Sequence, residues 1–136
     1  MSITGTDFTN GVADSGGAIY VSGLSQMNIS SSTFTNNYAK KSGGAVYISN
    51  NLDVRVSSST FKSNVAQSYG SDIYSLFSNY YLYIDSSYFY DTAPVTSTYC
   101  DTTQLSIISS LFSNNTGTST YGGAVTCMSC GKIVIN

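Results

Sequence analysis

The sequence predicts an all-β protein, a parallel β-helix (solenoid) of about five coils with a period of about 27 residues. Three observations lead to this fold class: the composition disfavours helices, one string recurs along the chain, and apolar residues alternate with polar ones inside each copy. Residues 1–136 are expected to form a single β-helix segment, since a chain of this length suffices for one core.

The composition favours strands over helices. Charged residues make up 9% of the chain, every acidic residue is Asp, and His and Trp are absent. Long surface helices need the Glu and Lys that are scarce here. Disorder would require a low apolar content, whereas hydrophobic residues reach 41% and the β-formers Val, Ile, Tyr and Thr are plentiful.

The charge and hydropathy patterns argue against two classes of partner. A net charge of −2 leaves no basic patch for phosphates, so we expect no nucleic-acid partner. No apolar run approaches the roughly 18 residues of a membrane helix, so we expect no membrane span in this segment. The start of the chain lacks the features of a signal peptide, so a secreted protein would be a mature product or an excised piece.

The repeated string is marked by phenylalanines at intervals of 26, 27, 28 and 23 residues: Phe8, Phe34, Phe61, Phe89 and Phe112. Five residues before each Phe stands a β-branched residue: Ile3, Ile29, Val56, Ile84 and Ile107. Two residues before each stands a small hydroxyl residue: Thr6, Ser32, Ser59, Ser87 and Ser110. Three residues after the Phe, an asparagine recurs in three copies: Asn37, Asn64 and Asn115. We interpret each copy as one coil of the solenoid.

Within a coil, the apolar residues alternate as they do in a strand. In the second copy Val46 and Ile48 share one parity, while Tyr47 and Arg55 share the other. Stacked coils about 4.8 Å apart would place the Phe positions in an internal column and Gly43 in a tight turn. Asn37 would occupy a left-handed corner and form a ladder of amides along the stack. Five such coils would form a rod segment roughly 24 Å long.

Short motifs in the chain resemble a known family of repeats. They are "GGAI" at 16–19, "GGAV" at 43–46 and 122–125, and "FTNN", "FKSN" and "FSNN" beginning at Phe34, Phe61 and Phe112. These strings resemble the GGA[ILV] and FxxN repeats of the chlamydial polymorphic outer membrane proteins and similar right-handed β-helix repeats of other surface proteins. The resemblance implies a right-handed parallel β-helix at an extracellular or cell-surface location, with an interaction or structural role and no catalytic residues. The middle coils depart from the pattern at "YGSD" and "FYDT".

The two ends of the chain fall at the same point of a coil. Ile133 and Ile135 occupy the columns of Met1 and Ile3, and the sequence contains no evident cap for the terminal coils. We therefore predict a segment of a longer solenoid, or a protomer whose ends stack on copies of itself.

Two aspartates are candidates for a catalytic or metal site. If Gly70-Ser71 and Tyr99-Cys100 both replace the glycine pair, Asp72 and Asp101 would stack about 5 Å apart on adjacent coils. That spacing suits calcium or acid–base chemistry, but a site needs several mutually placed groups, and no His or cluster of cations supports this pair. We predict no catalytic residue and no metal or other cofactor.

The three cysteines are candidates for a disulfide. Cys127 and Cys130 form "CMSC", and Cys100 is the third. Zinc would need a fourth ligand, and the inward parity of Cys127 is equally consistent with a small buried apolar residue. A disulfide between Cys130 and either partner is the alternative in an oxidising compartment.

The remaining candidates lie on the outer faces. Tyr20, Tyr47 and Tyr74 align as an outward ladder, and Tyr81 and Tyr83 lie on the face that carries Arg55. Such tyrosines can bind sugars or a protein partner, and they can also stabilise the sheet by stacking across coils; the two roles are compatible. Two triplets, beginning at Asn28 and Asn114, fit the N-glycosylation sequon of a glycoprotein.

The expected function is structural or adhesive and non-enzymatic, in an extracellular or cell-surface assembly that could be a filament. Its partners would be copies of itself, other surface proteins or glycans. The alternative is a carbohydrate-binding or carbohydrate-cleaving module on the same scaffold, which a groove of Asp, Arg and aromatic residues would favour.

Overall fold

The computed structural model describes residues 1–50, 53–79, 81–102, 104–117 and 121–136, which form strands, turns and loops without a helix. The first sheet has six strands: β1 (Ser2–Thr4), β5 (Gln26–Ser30), β9 (Asp53–Ser57), β13 (Tyr81–Asp85), β16 (Gln104–Ile108) and β19 (Lys132–Ile135). The second sheet has five: β2 (Asp7–Thr9), β6 (Thr33–Thr35), β10 (Thr60–Lys62), β14 (Tyr88–Tyr90) and β17 (Leu111–Ser113).

Two further sheets complete the coil. The third is short: β3 (Val12–Ala13), β7 (Tyr38–Ala39) and β11 (Val65–Ala66). The fourth has five strands: β4 (Ile19–Ser22), β8 (Val46–Ser49), β12 (Ile73–Asn79), β15 (Thr98–Thr102) and β18 (Val125–Cys127). Neighbours in each sheet come from successive coils and pair in parallel. The predicted all-β parallel solenoid of about five turns and a period of about 27 residues is therefore confirmed. No helix long and apolar enough to cross a membrane occurs in the described part of the chain.

The phenylalanine column lies at the centre of the core. Ring centroids of successive phenylalanines are 4.9, 4.6, 4.7 and 4.5 Å apart, and the ring planes are within 8° of parallel. Phe34, Phe61 and Phe89 are completely buried, while Phe8 and Phe112 in the end coils are half-buried. The column lies in the second sheet, where parallel pairing in register places identical side chains directly above one another.

Hydroxyl and amide side chains form two further ladders through the interior. The backbone N–H of Thr6 donates to Ser32 Oγ at 3.2 Å, and the same contact recurs from Ser32 to Ser59, from Ser59 to Ser87 and from Ser87 to Ser110. Asparagine Oδ1 atoms accept backbone N–H groups in the same way, from Gly11 to Asn37 at 2.9 Å and from Asn37 to Asn64 at 3.0 Å. These side chains satisfy backbone donors at the corners, where no strand partner exists.

The left-handed corner residue differs from the one predicted. Asn36, with φ of 56°, adopts that conformation, whereas Asn37 turns its amide into the interior. The neighbouring coils have Asn10, Ser63, Asp91 and Asn114 at the equivalent corner, all with positive φ. The left-handed backbone conformation and the amide ladder are thus provided by two adjacent residues, because one residue cannot turn the chain and also direct its amide into the interior.

The second glycine of each pair permits close contact between coils. A Cβ at Gly44 would meet the backbone carbonyl oxygens of Ser71 and Val65, and one at Gly17 would meet that of Gly44. We expect Gly44→Ala to destabilise the protein by at least about 2 kcal/mol in urea unfolding, because a backbone oxygen in a packed interior cannot move aside.

The matched control is Gly5→Ala, where the space is open but φ is 58°. That change carries only the left-handed conformational cost of about 1–2 kcal/mol. A cost for Gly44→Ala smaller than that for Gly5→Ala would contradict the close-contact explanation.

Candidate functional site

Asp72 and Asp101 do not stack, and the predicted pair is wrong. Ile73 pairs with Thr98, which places Ser97 beside Asp72, while Asp101 follows Cys100, the partner of Ser75. The error lies in the alignment of the fourth coil, which is shorter than the others. That coil contributes no described strand to the third sheet, so the missing residues precede β15. Tyr99 therefore aligns with the tyrosines of the other coils and not with their glycine pairs.

The Asp72 carboxylate is completely buried and lies among neutral hydrogen-bond donors. Its Oδ1 accepts from Asn64 Nδ2 at 2.9 Å, and its Oδ2 accepts from Thr92 Oγ1 at 2.7 Å and Ser97 Oγ at 2.6 Å. Burial raises the pKa of this carboxyl from its ordinary 3.8 to about 6, against the opposing effect of the three hydrogen bonds. With its oxygens bonded to these three donors, the Asp72 carboxylate is enclosed within the solenoid.

Asp72 bridges an interruption in the asparagine ladder. Asn37 donates its Nδ2 to Asn64 Oδ1 in the next coil, but the coil after that has Thr92 in the asparagine column. Asn64 Nδ2 donates to Asp72 instead, and the second carboxylate oxygen binds Thr92. The two departures from the repeat, Asp72 for alanine and Thr92 for asparagine, therefore compensate each other.

A cluster of six tyrosines occupies the outer side of the fourth sheet. The predicted ladder of Tyr20, Tyr47 and Tyr74 is present, with ring centroids 4.8 and 5.2 Å apart. Tyr99 extends it at 5.3 Å from Tyr74, and the rings of Tyr69 and Tyr121 lie 4.9 and 6.1 Å from that of Tyr99. Sequence reasoning missed Tyr99 because of the same register error, although its place one residue after Thr98 matches Tyr74 after Ile73.

The ladder rings lie face to face, and this decides what they can bind. The interplanar angles from Tyr20 to Tyr99 are 5°, 29° and 19°, so most ring faces are covered by a neighbouring ring. Tyr74 is only 8% exposed, and burial raises its pKa to about 12, with further contributions from neighbouring tyrosines and Asp101. The ladder presents ring edges and hydroxyls outward, and its stacking stabilises the sheet.

The other two predicted tyrosines lie on a different face. Tyr81 pairs with Asp53 and Tyr83 with Arg55 in the first sheet, away from the six-tyrosine cluster in the fourth. Tyr81 is 37% exposed. A local ion pair lies on the same face, with Arg55 Nη2 3.3 Å from Asp53 Oδ2.

The structure brings all three cysteines together. Cys127 and Cys130 form a disulfide with Cα atoms 5.9 Å apart, and Cys100 is the register partner of Cys127 on the adjacent strand. The three sulfur atoms lie within 4.8 Å of one another. Cys100 is buried, and burial together with nearby Asp101 raises the pKa of its thiol to about 12.

The two sequon asparagines differ in environment. Asn28 is half-buried in β5 between Ser2 and Arg55, and its Oδ1 is enclosed with no partner among the described residues. Asn114 is exposed at a corner with φ of 54°, and its Nδ2 donates to Asp91 Oδ1 at 2.8 Å. Of the two, Asn114 offers the more accessible side chain.

Comparison with known proteins supports the family resemblance, and the match covers part of the chain. Residues 31–49 match the family model of the Chlamydia polymorphic membrane protein repeat. This segment includes "FTNN" at 34–37 and "GGAV" at 43–46, two of the motifs on which the resemblance rests. No curated protein and no solved structure matched the chain. The protein is therefore a parallel β-solenoid with a repeat similar to that of the Chlamydia polymorphic membrane proteins.

Proposed function

We propose that this chain is a non-enzymatic structural and adhesive segment of a cell-surface or extracellular assembly. The observation that carries the proposal is the continuity of the interior: phenylalanine and hydroxyl ladders run through all five coils. A stack in which each coil binds only its neighbours is a stiff rod with large side faces. The repeat match, to a family described as membrane proteins of Chlamydia, supports a surface location.

The end face formed by the edge strands β17 and β19 supports assembly along the solenoid axis. Ile135 in β19 is 71% exposed and Ile133 is 52% exposed, so the first sheet ends in an apolar strand with unpaired backbone groups. Leu111 at the edge of the second sheet is 54% exposed. Parallel strands of a further coil, from the same chain or from a second copy, would pair with these edges and cover the apolar side chains.

The carbohydrate alternative receives less support from the tyrosine geometry. Sugars bind to open aromatic faces, whereas the rings of the ladder cover one another. Asp72 is completely buried and Asp101 is not its neighbour, so the two carboxylates do not form a site on the surface. A protein contact through ring edges and hydroxyls fits this surface better.

Sedimentation velocity across a concentration series tests the assembly. We expect the 136-residue chain to form larger species as concentration rises. Ile135→Lys is expected to raise the concentration needed by at least about tenfold, or about 1.4 kcal/mol, because a charge on an edge strand opposes pairing.

Tyr81→Lys is the matched control, because it places the same side chain at an exposed site on the side of the rod. It should leave the association unchanged. A chain that stays monomeric throughout, or an equal effect of Tyr81→Lys, would count against end-to-end stacking.

A further inference from the structure

The three cysteines converge at one point although they are separated in sequence. Cys100 projects from β15 and Cys127 from β18, and the "CMSC" turn returns Cys130 to the same place. Their sulfur atoms all lie within 4.8 Å of one another. The same column holds Val21, Ile48 and Ser75 in the preceding coils, so packing at this position does not require a thiol.

The donor set consists of three sulfurs and no imidazole. The chain has no histidine, and the cluster contains no fourth Cys or carboxylate, so it does not complete the four-ligand set of a structural zinc site. Monovalent copper prefers soft thiolate ligands. Because this ion is stable with three thiolates in a plane, a group of three sulfurs a few ångströms apart matches it.

We propose that the reduced form of the protein binds one monovalent copper ion through the thiolates of Cys100, Cys127 and Cys130. Binding exchanges three thiol protons for the ion and changes no oxidation state. Buried Cys100 gives up its proton only when the ion replaces it, so the affinity rises with pH.

The disulfide and the ion compete for the same sulfurs. The Cys127–Cys130 bond occupies two of the three ligands, so copper binding requires that this bond first be reduced to two thiols by a dithiol or a phosphine. The entry side is open to solvent, since Met128 between the two cysteines is 52% exposed and Ser129 and Gly131 are also exposed. The site is thus available in the dithiol state alone.

The test is a competition for monovalent copper under anaerobic conditions. The protein is reduced with a phosphine, freed of it, and titrated with Cu(I) held by the coloured chelator bicinchoninate. We expect the reduced chain to withdraw one equivalent and the oxidised chain to withdraw none. Cys100→Ser should weaken the binding by at least about tenfold, because only two ligands remain.

Cys100→Ser is expected to fold, because Ser75 occupies the same column one coil away from Cys100. Cys100→Val, which copies Val21 in that column, serves as a second variant, and circular dichroism checks both. X-ray absorption at the copper edge should show three-coordinate copper in the native sequence and two-coordinate copper in Cys100→Ser. Equal affinity of Cys100→Ser, two-coordinate copper in the native sequence, or binding by the disulfide form would overturn the proposal.

Discussion

Replacing Phe61 with alanine is expected to lower the free energy of unfolding by about 3–5 kcal/mol. Phe61 is fully buried between Phe34 and Phe89, at 4.6 and 4.7 Å between ring centroids. The substitution removes both stacking contacts and leaves a void that the neighbouring coils, held by strand pairing on either side, cannot close. Chemical unfolding followed by circular dichroism measures the effect.

Two further substitutions separate stacking from cavity formation. Phe112→Ala, in a half-buried end coil with Phe89 as its stacking neighbour in the column, should cost clearly less than Phe61→Ala. Phe61→Leu keeps apolar volume and loses two aromatic pairs, a cost of about 1–3 kcal/mol. Equal losses for Phe61→Ala and Phe112→Ala would contradict the idea that each coil is stabilised by both of its neighbours.

The sequence was sufficient to predict the architecture because the repeat columns coincide with the strand register. Phe8, Phe34 and Phe61 were aligned by spacing alone, and the structure pairs these residues directly. A parallel solenoid converts a sequence period into a spatial column, so any residue type that recurs in register predicts its own contacts. The outward tyrosine ladder followed from the same property.

The prediction failed in the fourth coil, where the repeat is shortened. A deletion can be placed before or after β15, and the choice decides whether Asp101 or Ser97 lies beside Asp72. The repeat period and the alternation of side chains do not distinguish the two placements, because the residues of Thr98–Thr102 fit the inward and outward positions of the strand in either register. The hydrogen bonds of the buried carboxylate settle it, and these are contacts between coils that spacing alone does not reveal.

The repeat pattern also did not predict the contacts made by side chains that lie in turns. Tyr69 and Tyr121 precede the glycine positions, and their rings fold back onto the ladder at Tyr99. Cys130 returns to Cys127 through a turn of two residues. Column arguments apply to strands that stack, whereas turns place side chains by local backbone geometry.

Raising the pH from about 4 to about 7 is expected to destabilise the protein through Asp72. The pKa of this carboxyl is about 6 in the folded chain and 3.8 ordinarily, so the folded chain retains a proton that the unfolded chain has lost between these values. The stability from Asp72 is therefore fully present below the ordinary value and is lost as the pH rises through about 6. At about 1.4 kcal/mol for each pH unit, the loss approaches about 3 kcal/mol.

The physical reason is that the groups facing the carboxylate are neutral. Asn64, Thr92 and Ser97 donate hydrogen bonds, which favour the charged form, but the complete burial of Asp72 has the larger, opposing effect. Urea unfolding at a series of pH values measures the dependence. Asp72→Asn is the direct control, because it retains a polar side chain of the same size and removes the titration.

A double substitution tests whether Asp72 and Thr92 compensate each other. Asp72→Ala restores the residue of Ala18 and Ala45, and Thr92→Asn restores the asparagine column, in which Asn64 Nδ2 bonds the Phe34 carbonyl and Asn115 Nδ2 that of Phe89. Asp72→Ala alone should cost about 1–3 kcal/mol, because it leaves buried donors unsatisfied. The double variant should regain part of that cost and should lack the pH dependence. Additive losses in the double variant, or a native protein whose stability rises from pH 4 to pH 7 as much as that of Asp72→Asn, would show that the carboxylate does not have this role.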